Sequence, residues 1–134
     1  MRGTARFPAL LRAVALISAL YDTSIGVVLL VAAPAMAGWF GVAPPSPAVF
    51  GDTNALFLIA VGLGYLLPAR DPERYRAYLW LMGPFLKGAG AIAFVVDHVA
   101  RGSPPAFLLF AASDGTVAVV TLLALIVSRP RPTR

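Results

Sequence analysis

Three ionisable residues, Asp22, Lys87 and Asp114, lie in the middle of long hydrophobic runs of this 134-residue chain. On insertion scales, an ionisable residue at the centre of a membrane helix costs about 2.5–3.5 kcal/mol, so such residues are rare and usually pair with one another. Two carboxylates and one ammonium leave an excess negative charge, which a proton or a cationic guest could neutralise. Because intramembrane ionisable residues are candidates for functional groups, we take these three as the candidate ligand or ion pathway.

Small side chains share the helix faces of the three ionisable residues at spacings of three and four. The three stripes are Ala15, Ala19, Asp22 and Gly26; Gly83, Lys87, Gly90 and Ala91; and Ala111, Asp114, Ala118 and Thr121. Small residues let membrane helices approach closely, so these faces should point into a helical bundle. A rise of about 1.5 Å per residue places the three ionisable residues at nearly the same depth. The sequence therefore predicts that they meet near the midplane.

A second polar set lies near the ends of the second and third hydrophobic runs. Its members are Asp52, Asn54, Asp97 and His98. If the midplane residues line a cavity, this set would mark its outer entrance and concentrate cations at the mouth. A lone histidine near an interface is more often a hydrated helix end than a ligand, so His98 carries little weight by itself.

The elements that must position these residues are four apolar runs, at approximately 10–33, 50–69, 78–96 and 106–127. The chain is 59% hydrophobic and 13% charged, whereas soluble domains are about 45–50% apolar and about 25% charged. Each run is close to the roughly 20 residues that cross a bilayer as a helix. The first is longer than a signal peptide's apolar region of about 7–15 residues, and we expect it to be retained. We predict an all-α membrane protein, with residues 1–134 forming one integral membrane domain.

Basic residues orient the predicted helices, because arginine and lysine collect in cytoplasmic loops. They occur in the N-terminal segment, in the second connection, "RDPERYRA", and in the C-terminal tail, "SRPRPTR". The first connection has none. The short second and third connections favour neighbouring helices that run in opposite directions. The pattern predicts an antiparallel four-helix transmembrane bundle, N-in/C-in, and arginine-rich usage suggests a bacterial cytoplasmic (inner) membrane.

The first connection, residues 34–49, is rich in proline and contains Trp39 and Phe40. Aromatic residues at this position are typical of anchors at the lipid headgroup level. A half-inserted lid over the outer mouth is the alternative, although irregular backbone at that depth needs cover from protein.

In its size, its four spans and its orientation, the chain resembles small bacterial four-helix inner-membrane proteins such as the DoxX-like group. The resemblance implies this membrane layout. It includes no motif residue, so it assigns no function to any position.

The sequence excludes several kinds of chemistry. With no cysteine and one histidine, thiolate chemistry and bis-histidine haem ligation are ruled out. We expect no cofactor, no metal and no nucleic-acid partner; the expected partners are the lipid bilayer and a second copy or another membrane protein. Three functions stay open: an ion- or small-molecule-handling bundle, a membrane-embedded acid/base enzyme acting on a lipidic substrate, and an accessory subunit. In the last, Lys87 would bridge the aspartates only to fix the helix register.

Overall fold

The structure, a computed structural model, describes residues 6–128, and every regular element in that range is helical. A π-helical segment, Leu81–Lys87, and a 3-10 turn, Pro105–Phe107, accompany six α-helices. These are α1 (Arg6–Phe40), α2 (Val49–Gly64), α3 (Leu66–Arg70), α4 (Arg76–Trp80), α5 (Gly88–Arg101) and α6 (Leu108–Val127). The terminal segments 1–5 and 129–134, on which part of the topology prediction depends, lie outside the described residues.

Four helical stretches are long and apolar enough to cross a membrane. They are Pro8–Phe40, Val49–Arg70, Arg76–Arg101 and Pro105–Val127. Many large apolar side chains, such as those of Leu20 and Val99, are exposed on the outside of these stretches, as expected where helices contact lipid rather than water. The prediction of an all-α chain with four such helices is confirmed, and the layout is consistent with a multi-pass membrane protein.

The first helix is longer than the apolar run that predicted it. We expected the segment after Ala33 to be a connection, but α1 continues to Phe40. Ala32 has non-helical backbone angles and produces a kink, and Pro34 follows it in the first turn of the second helical part. Proline is tolerated there, because the amide hydrogen that it lacks would have no partner in the first turn of a helix. The connection to α2 therefore comprises only residues 41–48.

One end of the molecule, which we call the arginine end, contains Arg12, Arg70 and Arg76. Arg12 donates to the carbonyl oxygen of Arg70 at 3.3 Å, and Arg76 donates to the carbonyl oxygen of Leu125. Next to these contacts lies a hydrophobic core of buried side chains. Its buried members are Leu11, Ala15, Ala19, Tyr65, Leu79, Ala124 and Leu125. The arginine end is therefore filled by side chains.

Helices α1 and α2 touch along their backbones at two glycines. A Cβ atom on Gly26 would lie 2.8 Å from the carbonyl oxygen of Ala55, and one on Gly62 would lie 3.0 Å from that of Ala19. Real Cβ atoms do not approach so closely without displacing the neighbour. The glycines thus permit the close approach of α1 and α2 that small residues typically provide in membrane helices.

Candidate functional site

Lys87 lies between the two aspartates, as the sequence predicted. Its Nζ is 2.6 Å from Asp22 Oδ1 and 3.3 Å from Asp114 Oδ1. The side chains of Lys87 and Asp22 are only 5% and 3% exposed, whereas that of Asp114 is 19% exposed. We call these three residues the charged cluster. Its two carboxylates are not equivalent, because Asp22 is held more tightly and more deeply than Asp114.

The backbone that presents Lys87 is not a regular α-helix. Residues Leu81–Lys87 form a π-helical segment with Pro84 inside it, between α4 and α5. Pro84 has no amide hydrogen and so makes no hydrogen bond to the preceding turn, which favours a local change of helical pitch. Short π-helical segments are frequent at functional sites. Lys87 is the last residue of this segment, so the widened turn sets the direction in which its ammonium points.

Close packing one turn before Lys87 holds the π-helical segment against α6. A Cβ atom on Gly83 would lie 2.6 Å from Thr121 Cγ2, and both residues are buried. Thr121 donates its hydroxyl to the carbonyl oxygen of Val117 at 2.6 Å, and its side chain is thereby fixed. The stripe of small residues on α6 thus brings Asp114 and the lysine-bearing segment together.

Tyr21, which the sequence analysis did not single out, completes the surroundings of the lysine. Lys87 Nζ is 4.9 Å from the centroid of the Tyr21 ring, a distance at which the π electrons attract a cation. The Tyr21 hydroxyl is 2.7 Å from Ser113 Oγ, so α1 and α6 are also joined beside Asp114. A tyrosine directly before Asp22 and a serine directly before Asp114 were the signals available in the sequence.

A cavity of about 460 Å³ opens from the charged cluster and extends away from the arginine end. Most of its wall is apolar, and its polar groups come from the charged cluster, Tyr21 and Asn54. The lining residues are Tyr21, Asp22, Ile25, Leu29, Met36, Asn54, Phe57, Leu58, Val61, Leu86, Lys87, Gly90, Phe94, Phe107, Phe110 and Asp114. Pockets of about 300–1,000 Å³ with apolar walls and a few convergent polar groups are typical of small-molecule sites.

Four phenylalanine rings form an aromatic group at the end of the cavity away from the arginine end. The rings of Phe40 and Phe110 have centroids 5.0 Å apart, those of Phe94 and Phe110 are 5.5 Å apart, and Phe40 and Phe107 stack at 5.3 Å. Phe40 and the lining residue Met36 both belong to the part of α1 beyond the kink, so this segment contributes to the wall of the cavity. Trp39 beside it is exposed, and its role as an interfacial anchor stays a prediction.

The polar residues that we expected at the outer entrance do not form one group. Asn54 lines the cavity, and Asp52 is exposed in the first turn of α2. Asp97 forms an ion pair with Arg101 at 3.0 Å, and His98 Nδ1 is 2.6 Å from the carbonyl oxygen of Ser103. Within residues 6–128 no hydrogen bond or ion pair joins Asp52 to Asp97 or His98. Their role as an entrance stays a prediction.

Metal binding and similarity to known proteins give no further assignment. Among the described residues, no three histidine, aspartate or glutamate side chains are grouped so that they could hold a metal ion. Comparison of the chain with protein-family models, with curated protein sequences and with solved structures finds no match. The function is therefore inferred from the geometry of the site alone.

Proposed function

We propose that this chain binds a small, largely apolar molecule with a polar head inside its helical bundle. One observation carries the proposal: the 460 Å³ cavity has the charged cluster at one end and aromatic walls at the other. A ligand of this kind would place its head at the charged cluster and its body along the phenylalanines. Apolar walls supply most of the binding free energy in such sites, and a few polar groups fix the orientation.

The arrangement that we propose around this site is an antiparallel four-helix transmembrane bundle in a bacterial cytoplasmic membrane, with both termini cytoplasmic. The order of contacts supports opposite directions for α1 and α2, since Gly62 lies beside Ala19 and Gly26 lies beside Ala55. The positive-inside rule supports a cytoplasmic arginine end. In this orientation the cavity belongs to the outer half of the bundle, and a ligand would enter from outside or from the lipid.

The filled arginine end favours binding over conduction. A continuous ion path would have to pass the buried side chains of Leu11, Leu79 and Leu125, which pack together there. The acid/base enzyme has less support, because Lys87 is engaged by two carboxylates and is nearly inaccessible. A purely structural charge network would need no cavity beside it. Binding is the function that uses all the features of this site.

A side chain that fills the cavity tests the proposal. Gly90 lines the cavity, and a Cβ atom there would meet only Asp114 Oδ2, at 3.8 Å. Gly90→Leu should therefore fold and occupy the binding space. Ala89→Leu is the matched control, because Ala89 is exposed on the outer surface. The probe is 6-phenylhexan-1-ol, titrated calorimetrically into protein in lipid nanodiscs, with empty nanodiscs as the reference for partitioning.

We expect wild type and Ala89→Leu to bind the alcohol equally and Gly90→Leu to bind it at least about tenfold more weakly, a loss of ~1.4 kcal/mol. Both variants should keep the helical circular dichroism spectrum and the elution volume of wild type. Equal binding by all three proteins, or no binding beyond partitioning by wild type, would overturn the proposal.

A further inference from the structure

The charges around the cavity discriminate between ligand classes, and the inference drawn from them rests on the proposed binding function. Asp22, Lys87 and Asp114 are the ionisable lining residues apart from Tyr21. Their formal charges sum to −1, since two carboxylates face one ammonium. An uncompensated charge in a medium of low polarity interacts strongly with any charge brought near it. A cationic head would neutralise the site, whereas an anionic head would raise its charge to −2.

Lys87 is not available to attract an anion. Its Nζ already contacts Asp22 Oδ1 at 2.6 Å, Asp114 Oδ1 at 3.3 Å and the ring of Tyr21 at 4.9 Å. The side chain is only 5% exposed. A carboxylate or phosphate ligand would have to displace one of these aspartates, whose negative charge would then lie unpaired beside the ligand. The ammonium of Lys87 is therefore already paired with carboxylates of the protein itself.

Asp114 is the carboxylate that can receive a ligand. Its contact with Lys87 is longer than that of Asp22, and its side chain is more exposed. Its second oxygen, Oδ2, faces α5 at Gly90, where the absence of a side chain leaves space that belongs to the cavity. On the deeper side, Asp22 Oδ2 is buried and accepts no hydrogen bond from any described residue. The cluster therefore has more acceptor oxygens than donors.

The walls beyond Asp114 suit the body of a cationic ligand. Phe110 lies one helical turn from Asp114 on α6, and its ring centroid is 5.5 Å from that of Phe94 and 6.5 Å from that of Phe107. Aromatic faces attract cations and pack against apolar or aromatic groups. Asn54 is the only side-chain amide among the described lining residues. The cavity wall away from the charged cluster therefore has few groups that could bind a second charged group.

We propose that the ligand is a lipophilic monocation, such as an amine with one aryl or alkyl body, whose ammonium binds Asp114 and whose body lies against Phe94, Phe107 and Phe110. Asp22 and Lys87 act as positioning residues that hold Asp114 at the cavity wall. The site selects against lipophilic acids of the same shape.

Three probes of matched shape test the ligand class: 6-phenylhexylamine, 6-phenylhexan-1-ol and 6-phenylhexanoate. Their dissociation constants are measured with the full chain in nanodiscs of zwitterionic lipid, against empty nanodiscs, so that lipid charge does not bias the comparison. Wild type should bind the amine at least about tenfold more tightly than the alcohol, equivalent to ~1.4 kcal/mol, and the acid should bind most weakly. Asp114→Asn should abolish the preference for the amine over the alcohol.

Two further variants separate loss of the carboxylate from loss of the fold. Asp71→Asn removes an exposed aspartate that lies outside both the cavity lining and the predicted entrance, and it should leave all three constants unchanged. Asp114→Glu keeps the charge and should keep the preference for the amine. If Asp114→Asn does not elute as a folded protein, the order of the three probes on wild type decides the inference.

The outcomes distinguish this inference from the proposed function. Equal binding of amine and alcohol by wild type overturns the cationic ligand class and leaves small-molecule binding in place. Tighter binding of the acid overturns it as well, and so does an amine preference that Asp114→Asn retains in a folded protein. If none of the probes binds beyond partitioning, both the inference and the proposed function are wrong.

Discussion

Removal of the Lys87 ammonium should destabilise the protein far more than removal of any exposed charge. Lys87→Met keeps most of the side-chain volume but leaves Asp22 and Asp114 as two carboxylates without a counter-charge. Deleting one partner of a buried ion pair typically costs about 3–5 kcal/mol, because the remaining charge stays buried. We expect a loss of this size in the free energy of unfolding, since Lys87 and Asp22 are both nearly inaccessible.

The two distances also rank the aspartates. Coulombic attraction varies inversely with separation, so the contact at 2.6 Å is about 1.3 times stronger than the one at 3.3 Å in the same medium. Asp22 is also the more buried of the two. Asp22→Asn should therefore lower the free energy of unfolding more than Asp114→Asn. Loss of the exposed ion pair between Asp97 and Arg101 serves as the reference. It should lower the free energy of unfolding by only about 0.3–0.5 kcal/mol.

Unfolding in mixed micelles with a rising fraction of sodium dodecyl sulfate, followed by far-ultraviolet circular dichroism, measures these differences. The decisive variant combines Lys87→Met with Asp22→Asn and Asp114→Asn. Replacing a complete buried charge network with neutral residues is often neutral or stabilising, so the triple variant should recover to within about 1 kcal/mol of wild type. A triple variant no more stable than Lys87→Met would refute the view that the three residues form one energetic unit.

Two further predictions concern topology and packing. In intact cells, cysteines introduced at the exposed positions Ser46 and Arg101 should react with an impermeant maleimide added outside. A cysteine at the exposed position Glu73 should not react. The reverse labelling pattern would overturn the orientation inferred from the arginines. Gly83→Ala should lower the free energy of unfolding by about 1–3 kcal/mol through overpacking against Thr121. Gly88→Ala, whose Cβ atom would meet only Ala118 at 3.9 Å, should change it little, and equal effects of the two would contradict the packing described here.

The close approach of Asp22, Lys87 and Asp114 was predictable, because it depends only on residue spacing within each helix. Apolar runs of about 20 residues specify membrane helices, and the spacing of small residues specifies which face of each helix points inward. Ala15, Ala19 and Asp22 on α1 are buried together, as are Gly83 and Lys87 on the π-helical segment. Equal depth follows from a constant rise per residue. No knowledge of the loops or of neighbouring side chains was needed.

The cavity was not predictable in the same way, because it is formed by residues that no sequence spacing connects. Tyr21 reaches Ser113 across 92 positions of sequence, and Phe40 reaches Phe110 only because α1 continues beyond the kink at Ala32. The sequence pattern predicted that the connection begins at Pro34, but in the structure Pro34 lies in the first turn of the next helical part. The predicted entrance stays a prediction, and the partners of Asp97 and His98 are local ones, Arg101 and the carbonyl oxygen of Ser103.

Pro84 links a local feature of the sequence to the charged cluster and the cavity, which are formed by residues far apart in the chain. The dipeptide Gly83–Pro84 could be read from the sequence as a weak point in a helix, but its effect depends on what lies opposite. Gly83 fits against Thr121 on α6, while the missing amide hydrogen of Pro84 permits the π-helical turn that ends at Lys87. The segment before this turn faces the filled arginine end, and the segment after it faces the cavity. The change of pitch thus separates the part of the third long helix that packs the core from the part that lines the proposed binding site, and Lys87 stands at the boundary.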